Sequence, residues 1–325
     1  MDYTRLGTTG LEVSRICLGC MSFGDARLGR EWVLDLEHSR PIIRAAWEAG
    51  INFYDTANVY SSGTSEEITG TLLWELAKRD EVVLATKVNG EMRKGPNGKG
   101  QSRKAILSEI DNSLRRLKTD YVDLYQIHRF DYQTPIEETL EALHDVVKMG
   151  KARYIGASSM WAWQFMKMLA VQDGNGWTRF VSMQNQLNLI YREEEREMLP
   201  LCIDQGIGVI PWSPLARGRL ARPWGEVTKR YESDPVQNQL YDAHAAEEEK
   251  INNAVAEVAK THGKTMAQVA LAWVLQKQPV TAPIVGVTRL AQLTDALGAL
   301  EVELSTDDIK KLEAAYKPRL PGGFQ

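Results

Sequence analysis

Short apolar runs alternate along the chain with longer stretches in which apolar residues return every three or four positions. The short runs are SRICLGCM at 14–21, INFYD at 51–55, VVLATK at 82–87, VDLYQIH at 122–128, RYIGAS at 153–158, FVSMQN at 180–185, IGVIPW at 207–212 and TAPIVG at 281–286. Each reads as a buried strand. Helix periodicity covers 42–50, 65–79, 102–117, 136–148, 161–170, 193–204, 265–277 and 290–299, with a further acidic helix at 244–260. Alternation of this kind over 325 residues predicts an α/β fold, a single (β/α)8 TIM barrel spanning 1–325 with no linker. LGTTGLEV at 6–13 predicts a glycine-containing hairpin ahead of the first barrel strand.

Composition narrows the class. With 43% apolar residues, 25% charged residues and a net charge of -4, the chain can build a large core and lacks the basic balance of a nucleic-acid binder. No apolar stretch has the length of about 18 residues that a membrane span needs, and MDYTRLGTTGLEVSR has no apolar signal-peptide centre. A cytoplasmic protein is expected. Cys17, Cys20 and Cys202 are too sparse for a disulfide framework, and Cys17 and Cys20 read as buried barrel-edge residues before a redox pair. His38, His128, His144, His244 and His262 are scattered without a metal-binding spacing, so no metal is expected.

The chemistry-bearing residues gather where strands should end. Asp55, Lys87 and His128 close three successive apolar runs, and Tyr60 follows five residues after the first of them. In a barrel these are the positions that surround the active-site mouth. A phenol alone is a weak proton donor, but an adjacent ammonium tunes it, a carboxylate can orient that ammonium, and an imidazole can bond a substrate oxygen. Neither GxGxxG nor GxxxxGK occurs, and GPNGKG at 95–100 reads as a surface loop or lid. The better anion site is WSPLARGRLARPWG at 212–225, where Ser213, Arg217, Gly218 and Arg219 combine hydroxyl, charge and close backbone approach. Gly286, Thr288 and Arg289, after the eighth strand, extend it.

Long ordered motifs add a family likeness. DTANVYSSGTSEE at 55–67, ATK at 85–87, SLRRLKTDYVDLYQIHR at 113–129, GKARYIGASS at 150–159, SMQNQLNLIYREEEREMLP at 182–200 and PWSPLARGRL at 211–220 together resemble the aldo-keto reductase superfamily, and within it the bacterial YajO-like members. The resemblance covers essentially the whole chain. It implies a metal-free NADPH/NADP+ oxidoreductase that reduces aldehydes or ketones by direct hydride transfer, with Asp55, Tyr60, Lys87 and His128 catalytic and Tyr60 as proton donor. It also implies that Ser158 and Gln184 hold the nicotinamide carboxamide and that Trp212 stacks on its ring. Ser213, Leu215, Arg217, Gly218 and Arg219 would then cover the pyrophosphate, while Gly286, Thr288, Arg289, Gln292 and Asp295 would meet the adenosine end. Arg289 favours NADPH over NADH, because a guanidinium pairs with a 2'-phosphate. Ser159 and Ala296 stand where many members carry asparagine.

The partner is a small carbonyl compound, and both an aromatic and a phosphorylated sugar-like substrate fit the loops at 22–38, 88–101, 129–135 and 216–243. Trp32, Trp161, Trp163, Trp224 and Phe130 are candidate pocket walls, Phe130 foremost because it follows the catalytic strand end. The pattern does not determine an oligomeric state. Related barrels that bind nicotinamide as redox-sensitive regulatory subunits supply an alternative function, and a metal-dependent hydrolase or isomerase barrel a more distant one.

Overall fold

The computed structural model describes residues 1–28, 31–226, 241 and 245–321. Strands β1 (Tyr3–Arg5) and β2 (Glu12–Ser14) form an antiparallel hairpin, as expected from the glycines at 7 and 10. Gly7 sits at φ 58°, and a Cβ there would lie 2.5 Å from the Gly206 carbonyl oxygen, so only glycine lets the turn press onto the start of a barrel strand. The hairpin thus closes the N-terminal mouth.

Eight parallel strands follow in ladder order: β10 (Ile284–Gly286), β3 (Cys17–Gly19), β4 (Phe53–Asp55), β5 (Val83–Val88), β6 (Val122–Ile127), β7 (Ala152–Ser158), β8 (Phe180–Gln184) and β9 (Gly208–Val209). The ends of this ladder meet: the Thr281 amide donates to the Val209 carbonyl at 2.8 Å and the Ile284 amide to the Pro211 carbonyl at 2.9 Å, which closes the barrel. The helices outside the sheet are α1 (Leu36–Glu48), α2 (Thr64–Leu73), α3 (Arg103–Leu117), α4 (Ile136–Lys148), α5 (Ala162–Asn175), α6 (Met198–Gln205), α7 (Ala245–His262), α8 (Met266–Leu275), α9 (Leu290–Gly298) and α10 (Thr306–Glu313).

Several boundaries differ from the pattern reading. The 14–21 run divides, with Ser14 ending β2 and its hydroxyl donating to the Ile16 carbonyl at 2.7 Å before β3 begins at Cys17. β9 is two residues long because Pro211 has no amide proton to continue the ladder. α2 stops at Leu73 instead of reaching residue 79; the Trp74 indole donates to the Leu117 carbonyl at 2.8 Å and ties this end to α3. α1 begins six residues earlier than expected, capped by Asp35, whose carboxylate accepts from the His38 amide. The pattern reading missed α10 altogether, although Ser305 and Asp308 form a capping box there. Residue 244, the expected start of the acidic helix, and most of the 226–243 stretch lie outside the described residues.

Strand alternation divides the core in two. Cys17, Phe53, Val83, Ala85, Leu124, Ile210, Ala282 and Ile284 join Leu6 and Val13 of the hairpin in the cluster that fills the lower barrel. The opposite strand faces pack under the helices as the larger cluster, which contains Cys20. The three cysteines are buried free thiols, and burial pushes those of Cys20 and Cys202 up to about 12, so Cys17 and Cys20 act as small apolar residues and form no redox pair.

Candidate active site

Above the apolar layer the barrel interior turns polar. Lys87 is fully buried near the end of β5, where alternation points Thr86 outward to the buried Glu66 and Lys87 inward. Its ammonium donates to Asp55 Oδ2 at 2.5 Å, to the Thr56 carbonyl at 2.8 Å and to the Tyr60 hydroxyl at 3.2 Å. Asp55 is held from its other side as well, since Oδ1 accepts from Gln126 Nε2 and from Gln184 Nε2, each at 3.0 Å. Burial works to lower the Lys87 pKa, but Asp55 and Tyr60 outweigh it and the net direction is upward. The ammonium therefore stays charged in a dry site.

Tyr60 arrives from a turn of unusual backbone. Ser61, Ser62 and Gly63 take φ values of 45°, 53° and 97°, a left-handed run that costs about 1–2 kcal/mol for each non-glycine residue. The turn is held by the Thr64 hydroxyl donating to the Ser61 carbonyl at 2.8 Å. It sets the phenol edge-to-face with His128, ring centroids 5.6 Å apart and planes at 80°. The four expected catalytic side chains are thus brought to one mouth.

Several of the expected cofactor residues stand at the ends of β7 and β8 and on the loop after β9. Trp212 is fixed by its indole proton donating to Ser159 Oγ at 3.0 Å, so serine at 159 serves as a support for the ring. Ser158 donates to the Gln184 carbonyl at 2.8 Å, which leaves its oxygen able to accept. In the loop after β9, Ser213, Ala216, Arg217 and Gly218 all have left-handed φ (53°, 46°, 56° and 93°), and the turns are held by the Ala216 amide donating to the Ser213 carbonyl at 2.9 Å and the Gly218 amide to the Leu215 carbonyl at 2.8 Å. A Cβ on Gly218 would lie 2.4 Å from Arg222 Nη2, so glycine admits that guanidinium over the loop. Burial lowers the Arg222 pKa, Glu226 opposes this, and the like charge of Arg289 lowers it further. Arg222 and Arg289 are thus two like charges close enough to act on one another. These features fit NADPH.

Other expectations change on folding. Arg219 turns inward, pairing at 3.1 Å with Glu248, which Arg319 also binds. Gln292 caps α9, its Oε1 accepting from the Thr288 amide at 2.8 Å, and Asp295 accepts from the Thr265 hydroxyl at 3.0 Å. Ala296 is buried. Leu215 lies on the loop after β9 and Gly286 ends β10. Of the aromatic candidates, Phe130 packs edge-to-face on Tyr132 at 5.0 Å, Trp32, Trp161 and Trp224 are half-buried, and Trp163 faces solvent. The 95–100 loop folds back on itself through Met92 and Gly98. His38, His144 and His262 bond to Asp35, Thr178 and Asp308, while His244 lies outside the described residues. Among the described residues no three metal-ligating side chains converge, and no helix is long and apolar enough to cross a membrane.

Three participants escaped the sequence reading. Gln126 supports Asp55, Arg222 covers the loop after β9, and Arg129 lies with its guanidinium carbon 5.8 Å from the Trp212 ring centroid. Only Gln126 left a signal, a lone amide inside the apolar run VDLYQI.

Comparison with known proteins agrees with this geometry. The model of the aldo/keto reductase family matches residues 15–317. Versiconal hemiacetal acetate reductase of Aspergillus parasiticus is 45% identical, with 98% of each chain aligned. An aldo-keto reductase of Fusarium vanettenii is 43% identical over 98% of this chain and 92% of its own. A Saccharomyces cerevisiae protein carrying the provisional name aryl-alcohol dehydrogenase is 41% identical over 97% of both. The chain belongs to the aldo/keto reductase family and is an NADPH-linked oxidoreductase that reduces carbonyl compounds.

Proposed function

We propose that the chain reduces aryl aldehydes and ketones, with Tyr60 as the proton donor, and the observation that carries this is the Lys87 ammonium bridging Asp55 and the Tyr60 hydroxyl. NADPH, when bound, supplies the hydride from C4 of its nicotinamide. The phenol oxygen accepts from Lys87, so its own proton is left to be donated to the carbonyl oxygen. As hydride reaches carbon, that proton moves from Tyr60 to oxygen; Lys87 stabilises the phenolate until solvent returns a proton. His128, edge-on to the phenol, bounds the position of the substrate oxygen. Ser158, Gln184 and Trp212 would hold the nicotinamide end, Ser213, Leu215, Arg217 and Gly218 the pyrophosphate, and Gly286, Thr288, Arg289 and Arg222 the adenosine phosphate. Arg219, Gln292 and Asp295 support those loops from behind.

The aromatic choice rests on the Phe130–Tyr132 pair beside the catalytic strand end and on the aryl-alcohol name of a relative. The bacterial YajO-like likeness rests on motifs alone, and the relatives named above are fungal. One barrel domain over 1–325 working in the cytoplasm is part of the same reading, supported by three unpaired cysteines. Tyr60→Phe tests it. The variant keeps the ring and loses the proton, so single-turnover hydride transfer to an aryl aldehyde is expected to fall by a factor on the order of 10² or more, with NADPH binding retained. An unchanged chemical rate removes Tyr60 from the donor role.

A further inference from the structure

Arg129 follows His128 at the mouth and differs from most guanidiniums of the interior, although Arg15 likewise donates only to carbonyls, those of Val280 and Leu275. Arg79, Arg116, Arg192, Arg219 and Arg319 each pair with a carboxylate: Asp123, Glu66, Glu313, and Glu248 for the last two. Arg129 pairs with none among the described residues. Its Nη1 donates to the carbonyl of its neighbour His128 at 2.7 Å, and its carbon lies 5.8 Å from the Trp212 ring centroid. Burial draws its pKa down, and among the described residues Tyr60 opposes this. A guanidinium has five N–H donors, and a desolvated one left without an acceptor is costly. Among the described residues the one hydrogen bond from the Arg129 side chain is that from Nη1, and the group sits beside the Trp212 ring and within the electrostatic reach of Tyr60.

Topology says which anion belongs there. The candidate phosphate groups lie on the loops after β9 and β10, which stand three and four places from β6 in the eight-strand ring, on the far side of the mouth. The Arg129 charge is therefore at the reacting end, beside Tyr60 and Trp212. We propose that Arg129 is a specificity-determining residue that receives an anionic oxygen of the substrate, so that carbonyl compounds bearing a carboxylate are reduced in preference to neutral analogues of the same shape. The inference rests on the carbonyl-reductase reading above and adds the charge of the substrate. A planar guanidinium bonds a carboxylate through two parallel N–H groups, which would also fix the angle at which the carbonyl meets Tyr60.

The test compares kcat/KM for 2-, 3- and 4-formylbenzoate with that for the corresponding methylbenzaldehydes, in the wild type, Arg129→Met and Arg129→Lys, together with NADPH titration of each protein. The wild type is expected to favour at least one formylbenzoate by about tenfold, chiefly through KM, with the preferred isomer reporting the span from Tyr60 to Arg129. Arg129→Met should lose that preference and Arg129→Lys recover part of it, as a charge without the planar fork would. A wild type without preference for any formylbenzoate overturns the proposal, and needs no variant to fold. So does an Arg129→Met variant that keeps the wild-type ratio while binding NADPH more weakly, which would assign the residue to the cofactor. Failure to reduce either aldehyde series with NADPH would instead count against the reductase reading itself.

Discussion

Two buried ion pairs stand at the same mouth and do different things. Lys87 and Asp55 have side-chain exposures of 0% and 3%, and Arg219 and Glu248 have 6% and 0%. Glu248 is shared by two guanidiniums: Arg219 binds Oε2 and Arg319, from the C-terminal segment, binds Oε1 at 2.9 Å. Asn252 on α7 adds bonds to the carbonyls of Arg219 and Arg222, so the cluster fastens the loop after β9 to α7 and to the chain end. The Lys87 ammonium instead has a third neighbour, the Tyr60 hydroxyl, which carries a proton toward the cavity. Burial makes both pairs rigid and dry. What separates scaffold from chemistry is whether the network ends on a group that can still transfer a proton.

The largest effect should come from cutting the first pair. Lys87→Met leaves Asp55 buried and uncompensated, with an expected loss of about 3–5 kcal/mol in stability and a fall in hydride transfer of about 10³-fold. Adding Asp55→Asn should restore much of the stability in chemical denaturation and none of the rate; recovery of rate would erase the distinction drawn between the pairs.

Glu248→Gln, which keeps the shape and removes the charge between two guanidiniums, should weaken NADPH binding by about tenfold through a loosened loop. Hydride transfer at saturating NADPH should stay near the wild-type value. A comparable loss in the single-turnover rate would mean that the two clusters act as one.

Arg289→Ala sharpens the comparison at the outer edge of the loop region. NADPH affinity should fall by about tenfold while NADH affinity changes little, as read by fluorescence titration. Equal losses for both cofactors would count against recognition of the 2'-phosphate.

A pH test concerns Glu194, a buried carboxyl pushed up to about 8 by burial, with Asn185 and the Tyr191 hydroxyl as partial compensation and Glu193 raising it further. Its folded pKa lies above the unfolded value, so the folded state holds the proton longer and stability declines as pH rises from about 4.5 toward 8 before levelling. Glu194→Gln should flatten that decline in denaturant titrations at several pH values. A decline of undiminished slope would show that Glu194 is not its source.

Legibility followed chain separation. The strands, the hairpin and most helices were visible as period, because burial on one face acts residue by residue. Asp55, Lys87 and His128 were visible for the same reason, as polar residues ending apolar runs, and Tyr60 lay close behind the first of them. The contact of Arg219 with Glu248 was not legible, because that partner lies 29 residues away on a different element. Nor was the use of Gln292 as the cap of α9, or the bond that Asp295 accepts from the Thr265 hydroxyl.

The sequence by itself determined the alternating barrel, the chemical types at the strand ends and the family they belong to, since each depends on local period or on contiguous motifs. Tertiary structure decided which charges are answered and which are left facing the mouth. Lys87 reaches Asp55 across 32 residues, Gln184 reaches it across 129, and Arg129 finds no carboxylate among the described residues. Closing the barrel brings such distant groups within bonding distance and removes the water that would otherwise make their pairing indifferent.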